Sequence, residues 1–200
     1  MKLSGHEDLR VQKTIQSIRT AFSVMLLKED YRKITVTALC RQAVINKKTF
    51  YRYYDSVDAL LEEILSEFSK GYVDLIAEYQ VPEDLDKINA AFFHYAVHQG
   101  PLYEKILCSV SYQHLSSHLV EEYIAKSWGK APAFQNLSPG EQELFTTFIH
   151  ATGLSMYRQW VEGGKKLPVE EVIAISYKLL SQGTSGLLPA NDSEASDKAQ

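Results

Sequence analysis

The sequence predicts an all-helical protein, and three observations carry that prediction. Apolar residues recur at three- and four-residue steps through nearly every segment, the spacing that gives an α-helix one wet and one dry face. No segment alternates apolar and polar residues with the period of two that a half-buried strand needs. The 200 residues are 45% hydrophobic and 23% charged, enough apolar material for a core and too much for a disordered chain.

Val11, Ile15, Ile18, Phe22, Met25 and Leu26 mark a first amphipathic helix from about Asp8 to Lys28, ended by "EDYRK". A short second helix follows, with Thr35 or Thr37 as its cap oxygen and Leu39 and Ala43 turned inward. "VIN" is a tight connection, and Asn46 caps a third helix, Lys47 to Tyr54. Asp55 or Ser56 then caps a long fourth helix. Its stripe is Val57, Leu60, Leu61, Ile64, Leu65, Phe68, Tyr72, Leu75, Ile76 and Tyr79.

"VPEDLDK" opens the next helix with Pro82 near its first turn, and "QGP" at 99–101 stops it. Helical stretches run from Leu102 to Ser109 and from Ser111 to Trp128. "GKAPAFQNLSPGE" is a loop that ends in a helix start at Ser138 and Pro139. Helices over 140–162 and 168–182 follow, separated by "GGKKLP". The Ser-, Asp- and Ala-rich tail, 184–200, is expected to be disordered.

The N-terminus, "MKLSGHEDLR", has no apolar signal core, and no window holds eighteen consecutive apolar residues, so a cytoplasmic protein that does not enter membranes is expected. Cys40 and Cys108 match no metal spacing and read as reduced, buried thiols. No Gly-rich phosphate loop and no His-Glu-x-x-His appears, and nothing suggests an enzyme or a resident cofactor. The net charge of −4 hides a split: residues 1–60 hold 11 Lys and Arg against 6 Asp and Glu, the remainder 10 against 19. A basic head on an acidic body suggests that the head alone meets a polyanion.

Two short helices joined by a tight turn, with one helix before and a long one behind, read as a helix-turn-helix. In "KKTFYRYY", Phe50 and Tyr54 lie four apart on one face, suited to burial. Lys47, Lys48, Tyr51 and Arg52 turn outward, cations and phenols suited to phosphates and base edges. Spacing alone leaves open a solvated basic face on an ordinary helical bundle.

The segment 35–61, "TVTALCRQAVINKKTFYRYYDSVDALL", resembles the DNA-binding domain of the TetR family of bacterial transcriptional regulators. The positions that carry the likeness are Thr35, Val36, Leu39, Ala43, Ile45, Thr49, Phe50, Tyr51, Tyr54, Leu60 and Leu61. The resemblance takes in the first helix as well. It implies an N-terminal helix-turn-helix domain over 8–68, joined by a long helix to a larger ligand-binding and dimerisation domain over 69–183. It implies that Thr35 and Thr37 touch phosphates, that Lys47, Lys48 and Tyr51 read the major groove, and that Thr49 and Tyr53 meet the backbone. Asn46 and Arg52 complete the expected DNA-facing set. Two residues depart from the family pattern: Val44 stands where a turn Gly is usual, and Val57 where Lys is common.

In such proteins the body binds a small molecule and dimerises through its last two helices. Ala151, Gly153 and Ser155, with the stripe Val169, Val172, Ile173, Ser176 and Leu180, are the residues expected at that interface, although packing within the chain's own core would give similar stripes. "FFHYAVHQGPLYEKIL" and "YRQW" resemble a C-terminal type common in TetR-like proteins of Firmicutes, a set that includes a co-activator of dihydroxyacetone kinase synthesis. Candidate effector-binding aromatics are Tyr72, Phe93, Tyr103, Phe148 and Tyr157. His94 and His98, and likewise His114 and His118, are four apart and read as polar faces rather than metal sites. The chain is thus expected to be a ligand-responsive homodimeric repressor on an inverted-repeat DNA operator. The alternative is a protein-binding co-regulator with weak or partner-dependent DNA binding.

Overall fold

The computed structural model describes residues 9–109 and 118–187. Among them are ten α-helices: α1 Leu9–Lys28, α2 Val36–Gln42, α3 Lys47–Tyr53, α4 Val57–Ile76, α5 Leu85–His98, α6 Pro101–Cys108, α7 His118–Trp128, α8 Pro132–Gln135, α9 Pro139–Glu162 and α10 Val169–Leu187. A single 3-10 turn, Tyr31–Lys33, capped by Asp30, breaks the chain between α1 and α2. No strand occurs among the described residues, so the all-helical expectation holds.

The described chain forms two compact units. The first holds residues 9–68 and 100–109, the second 69–99 and 118–187. The core of the first unit is closed by Ile18, Phe22 and Leu26 from α1, Leu39 from α2, Phe50 from α3, and Leu60 and Leu61 from α4. Each belongs to the apolar stripe of its own helix, so burial of the stripes and formation of the core are one event. Ile106 of α6 is buried in the same core, and Lys105 donates from Nζ to the Glu29 carbonyl at 3.1 Å. The return of α6 to the head has no signal in local periodicity.

In the second unit α10 packs against α5 and α9. Trp128 meets Phe145 edge-on at 4.7 Å between ring centroids, and Phe134 joins them. Phe134 explains α8, a helical turn inside the stretch expected to be loop: Pro132 opens it, and burying the ring holds it. A second aromatic group gathers Tyr72, Phe92, Phe93, Tyr95, Tyr157 and Trp160. Asn89 of α5, buried, accepts from the Ser176 hydroxyl at 2.7 Å and donates to the Ile173 carbonyl at 3.1 Å, tying α5 to α10.

Several boundaries differ from expectation. Pro82 lies in the turn before α5, which starts at Leu85 behind its N-cap Asp84. Helix α10 continues to Leu187, five residues past the expected end, since Thr184 is buried one turn beyond Leu180. In the stripe of α4, Leu75 is exposed, and Tyr79 lies beyond the helix end. Cys40 is buried as expected, whereas Cys108 is only half-buried. The expected helix start at Ser111 lies outside the described residues.

Candidate nucleic-acid interface

Helix α2 starts at Thr35, whose extended backbone lets its Oγ1 accept from the Ala38 N–H at 3.2 Å. Thr37, the other candidate cap, is exposed on the first turn. The helix ends at Ala43 in a reciprocal cap: the Ile45 N–H donates to the Cys40 carbonyl at 3.0 Å and the Val44 N–H to the Arg41 carbonyl at 3.3 Å. That cap requires the residue between, Val44, to be left-handed, and its φ is 57°. The turn therefore takes a left-handed course that a β-branched residue disfavours. Asn46 then starts α3, its Oδ1 accepting from the Thr49 N–H at 2.8 Å and from the Thr49 hydroxyl at 3.0 Å.

The two faces of α3 separate as the sequence spacing requires. Phe50 is fully buried and Tyr54 nearly so, their rings 5.8 Å apart. Lys47, Lys48, Tyr51 and Arg52 are exposed. Tyr51 is 53% exposed, with its ring edge against Phe50 at 5.5 Å. Thr49 and Tyr53 are half-buried; Tyr53 packs on the core, and the Thr49 hydroxyl proton is committed to Asn46. Asn46 spends its carbonyl oxygen on the cap, which leaves the amide nitrogen as the outward donor. Val57 packs against the core where a Lys would have reached outward.

Side chains far apart in sequence hold α3 on its support. Tyr54 donates from its phenol to Glu63 Oε1 at 2.9 Å, and the same oxygen accepts from Arg19 Nη1 at 2.9 Å. Arg19 also pairs with Glu67, which, with the Glu63 charge, holds its guanidinium pKa above the usual value. Burial and the Glu63 hydrogen bond keep the Tyr54 phenol protonated well above the ordinary tyrosine range. Ser17 of α1 donates to the Ala43 carbonyl at 2.9 Å, fixing the end of α2. This lock escaped the sequence reading; Arg19, a cation on the otherwise apolar flank of α1 beside Ile18, was its one local sign.

Three of the five candidate effector residues share one group. Tyr72, Phe93 and Tyr157 meet in the aromatic group of the second unit, Tyr72 and Tyr157 through Phe92. Tyr103 belongs to the first unit, edge-on to Phe68 at 4.6 Å. Phe148 is 39% exposed and lies over Gly183 of α10. A cleft of about 700 Å³ in the second unit, lined by Tyr79, Pro82, Tyr123, Lys126, Lys130 and Ala133 among others, includes none of the five. His94 faces Glu170 at 3.6 Å, and His98 Nδ1 lies 2.6 Å from the carbonyl of His94. No group of three or more metal-ligating side chains occurs among the described residues, and the side chains of His114 and His118 lie outside them.

No protein-family model matches the chain. An uncharacterised HTH-type transcriptional regulator of Bacillus subtilis, YxbF, is 23% identical over 180 residues. The match covers 82% of this chain but 43% of that protein, so the chain spans less than half the length of this curated relative. Among solved structures, a TetR family regulator from a Shewanella species superposes with a TM-score of 0.65 at 16% identity, over 85% of this chain and 97% of the other. The FadR regulator of Bacillus subtilis, in complex with stearoyl-CoA, gives 0.64 at 15% identity, over 84% and 98%. A TetR regulator of Streptococcus agalactiae gives 0.64 at 17%, over 86% and 95%. The chain has the fold of TetR-family regulators. No helix of the described residues is long and apolar enough to cross a membrane.

Proposed function

We propose that the protein is a DNA-binding transcriptional regulator, a homodimeric repressor that leaves an inverted-repeat operator when a small molecule binds its second unit. The observation that carries this reading is α3, a helix with Phe50 and Tyr54 in the core and Lys47, Lys48, Tyr51 and Arg52 in solvent. A rigid helix offering cations and a phenol to solvent suits the major groove, where such groups meet phosphates and base edges. Thr35 and Thr37 flank it with hydroxyls suited to phosphate, and Asn46 with an amide nitrogen.

Dimerisation is supported by apolar side chains left exposed on the last two helices. On α9, Leu144, Phe148, Ala151 and Ser155 fall at four- and three-residue steps on one face. On α10, Ile175 and Leu179 are exposed. A two-fold pairing there matches an inverted repeat. On α9 this face keeps the expected Ala151 and Ser155 while Gly153 lies against Phe92 of the same chain, and on α10 it departs from the expected stripe, whose Val172, Ser176 and Leu180 are buried.

The effector is proposed to enter beside Tyr72, Phe93 and Tyr157. FadR, similar in fold, is known with stearoyl-CoA, which makes a long-chain acyl thioester the first compound to test. The experiment selects duplexes from a random pool with the full chain, then titrates stearoyl-CoA into the complex. Enrichment of an inverted repeat, released by the thioester, is the expected result. A chain that enriches no duplex on its own has the partner-dependent role instead.

A further inference from the structure

We infer that Val44 is itself a DNA contact, its isopropyl group packing on the 5-methyl of a thymine at the edge of the groove that α3 enters. The inference rests on the reading of α2 and α3 as a DNA-binding pair, and adds to it a residue whose natural role in a turn would be none.

Helix α9 ends in the same reciprocal cap as α2: the Lys165 N–H reaches the Trp160 carbonyl at 2.9 Å and the Gly164 N–H the Val161 carbonyl at 3.0 Å. There two residues are left-handed, Gly164 with φ at 81° and Lys165 after it with φ at 53°, and the one that occupies Val44's place in the cap is Gly164. Glycine suits it because it has no Cβ to collide with its own backbone. At the end of α2 the equivalent position is Val44, one of the worst residues for that conformation, since branching at Cβ crowds the carbonyl further.

Packing inside the protein does not offset that cost. Val44 is 90% exposed, the most exposed large apolar side chain among the described residues, and its neighbour Ile45 is the one that packs on the core. The cap's own hydrogen bonds hold the backbone left-handed, so the choice of an exposed valine over glycine points to something outside the chain. The residues around it show what that is: Arg41, Gln42, Asn46, Lys47 and Lys48 are all exposed. A surface so charged and polar suits a polyanion, and the apolar feature a duplex presents in its major groove is the thymine methyl. Val44 supplies the one aliphatic group of this stretch able to meet it.

The test uses the full chain and the duplex it selects. Val44→Gly relieves the left-handed strain, so the melting temperature of the DNA-free protein rises by roughly 2–4 °C. The same variant binds the duplex about tenfold more weakly, the scale of losing a buried isopropyl group. Replacing thymines one at a time by deoxyuridine weakens the parent about fourfold at one position in each half-site. Val44→Gly is indifferent to that replacement. A variant that melts higher yet binds as tightly as the parent overturns the inference while leaving the recognition helix intact, as does one that responds to deoxyuridine as the parent does. A parent chain that selects no duplex overturns both readings together.

Discussion

Three substitutions on α3 separate its role as a core element from its role as a reading surface. Phe50 is fully buried, with the rings of Tyr51 and Tyr54 at 5.5 and 5.8 Å. Truncation to Ala removes a whole aromatic side chain and leaves a cavity, at a cost of about 3–5 kcal/mol. For a chain of this length each kcal/mol lowers the melting temperature by roughly 2–4 °C, so Phe50→Ala should melt roughly 6–20 °C below the parent. Lys47 is exposed, and Lys47→Ala should leave stability within about 0.5 kcal/mol of the parent. Its effect falls on DNA: about 1–3 kcal/mol if it reads a base, or a salt slope shallower by about one if it meets phosphate alone. Tyr51→Ala should do both in part, losing the edge contact with Phe50, about 0.5–1.5 kcal/mol, together with affinity. Circular-dichroism melts and fluorescence anisotropy over a salt series read the two effects apart. Parent-like DNA affinity in both Lys47→Ala and Tyr51→Ala would refute α3 as the reading element. A parent-like melt of Phe50→Ala would refute its place in the core.

Tyr54→Phe removes the hydrogen bond to Glu63 and should cost about 1.5–3 kcal/mol at neutral pH by urea unfolding. Because the folded Tyr54 holds its proton above the ordinary value of 10.0, its contribution is complete below about pH 10 and declines as pH rises toward the folded value. The alkaline loss of stability should therefore be less steep in Tyr54→Phe than in the parent. Leu179→Glu, on the exposed side of α10, should yield a helical monomer in sedimentation; an unaltered dimer would remove α10 from the interface. Ser176→Ala takes the donor from buried Asn89 and should lower stability by about 1–3 kcal/mol in thermal melts, an unchanged melt counting against that pair.

The head was largely legible because its information is local. Caps sit within three residues of the helix they start, and the sequence narrows that of α3 to Asn46 and those of α2 and α4 to two side chains each. Thr35 and Ser56 prevail over Thr37 and Asp55, each with its oxygen on the N–H three residues on. The faces of α3 follow from the four-residue step between Phe50 and Tyr54. What stayed hidden was non-local: Arg19 reaches Glu63 and Glu67 more than forty residues away, and α6 returns to a core that lies earlier in the chain. Neither leaves a periodic trace, since both depend on where helices lie once folded. Val44 lies between these cases. The sequence marked it as a misfit, and only the hydrogen bonds of the turn show that the backbone accepts the misfit rather than avoiding it.

The body was less legible because periodicity reports that a helix has an apolar face without reporting what covers it. On α10 two stripes compete. Val172, Ser176, Leu180 and Thr184, at four-residue steps, are buried in the chain's own unit, while Ile175 and Leu179 are exposed. A reading by hydropathy prefers the first stripe for any interface, yet that stripe contains Ser176 because Asn89 of α5 is there to receive its hydroxyl. The same ambiguity applies to small residues. Gly153 and Gly183 invite a reading as close-approach points between subunits, but a Cβ on Gly153 would meet Phe92 at 3.6 Å, and one on Gly183 would meet Phe148 at 2.7 Å. Gly183 makes room for a ring of its own chain, whereas a Cβ on Gly153 would sit in ordinary contact with Phe92 and only a longer side chain would collide with that ring. Gly153→Leu would therefore disturb the fold before it reported on any dimer, and loss of dimer in that variant would not locate the interface. An exposed Leu→Glu on α10 does locate it, because its cost appears only when a second copy arrives to desolvate the charge.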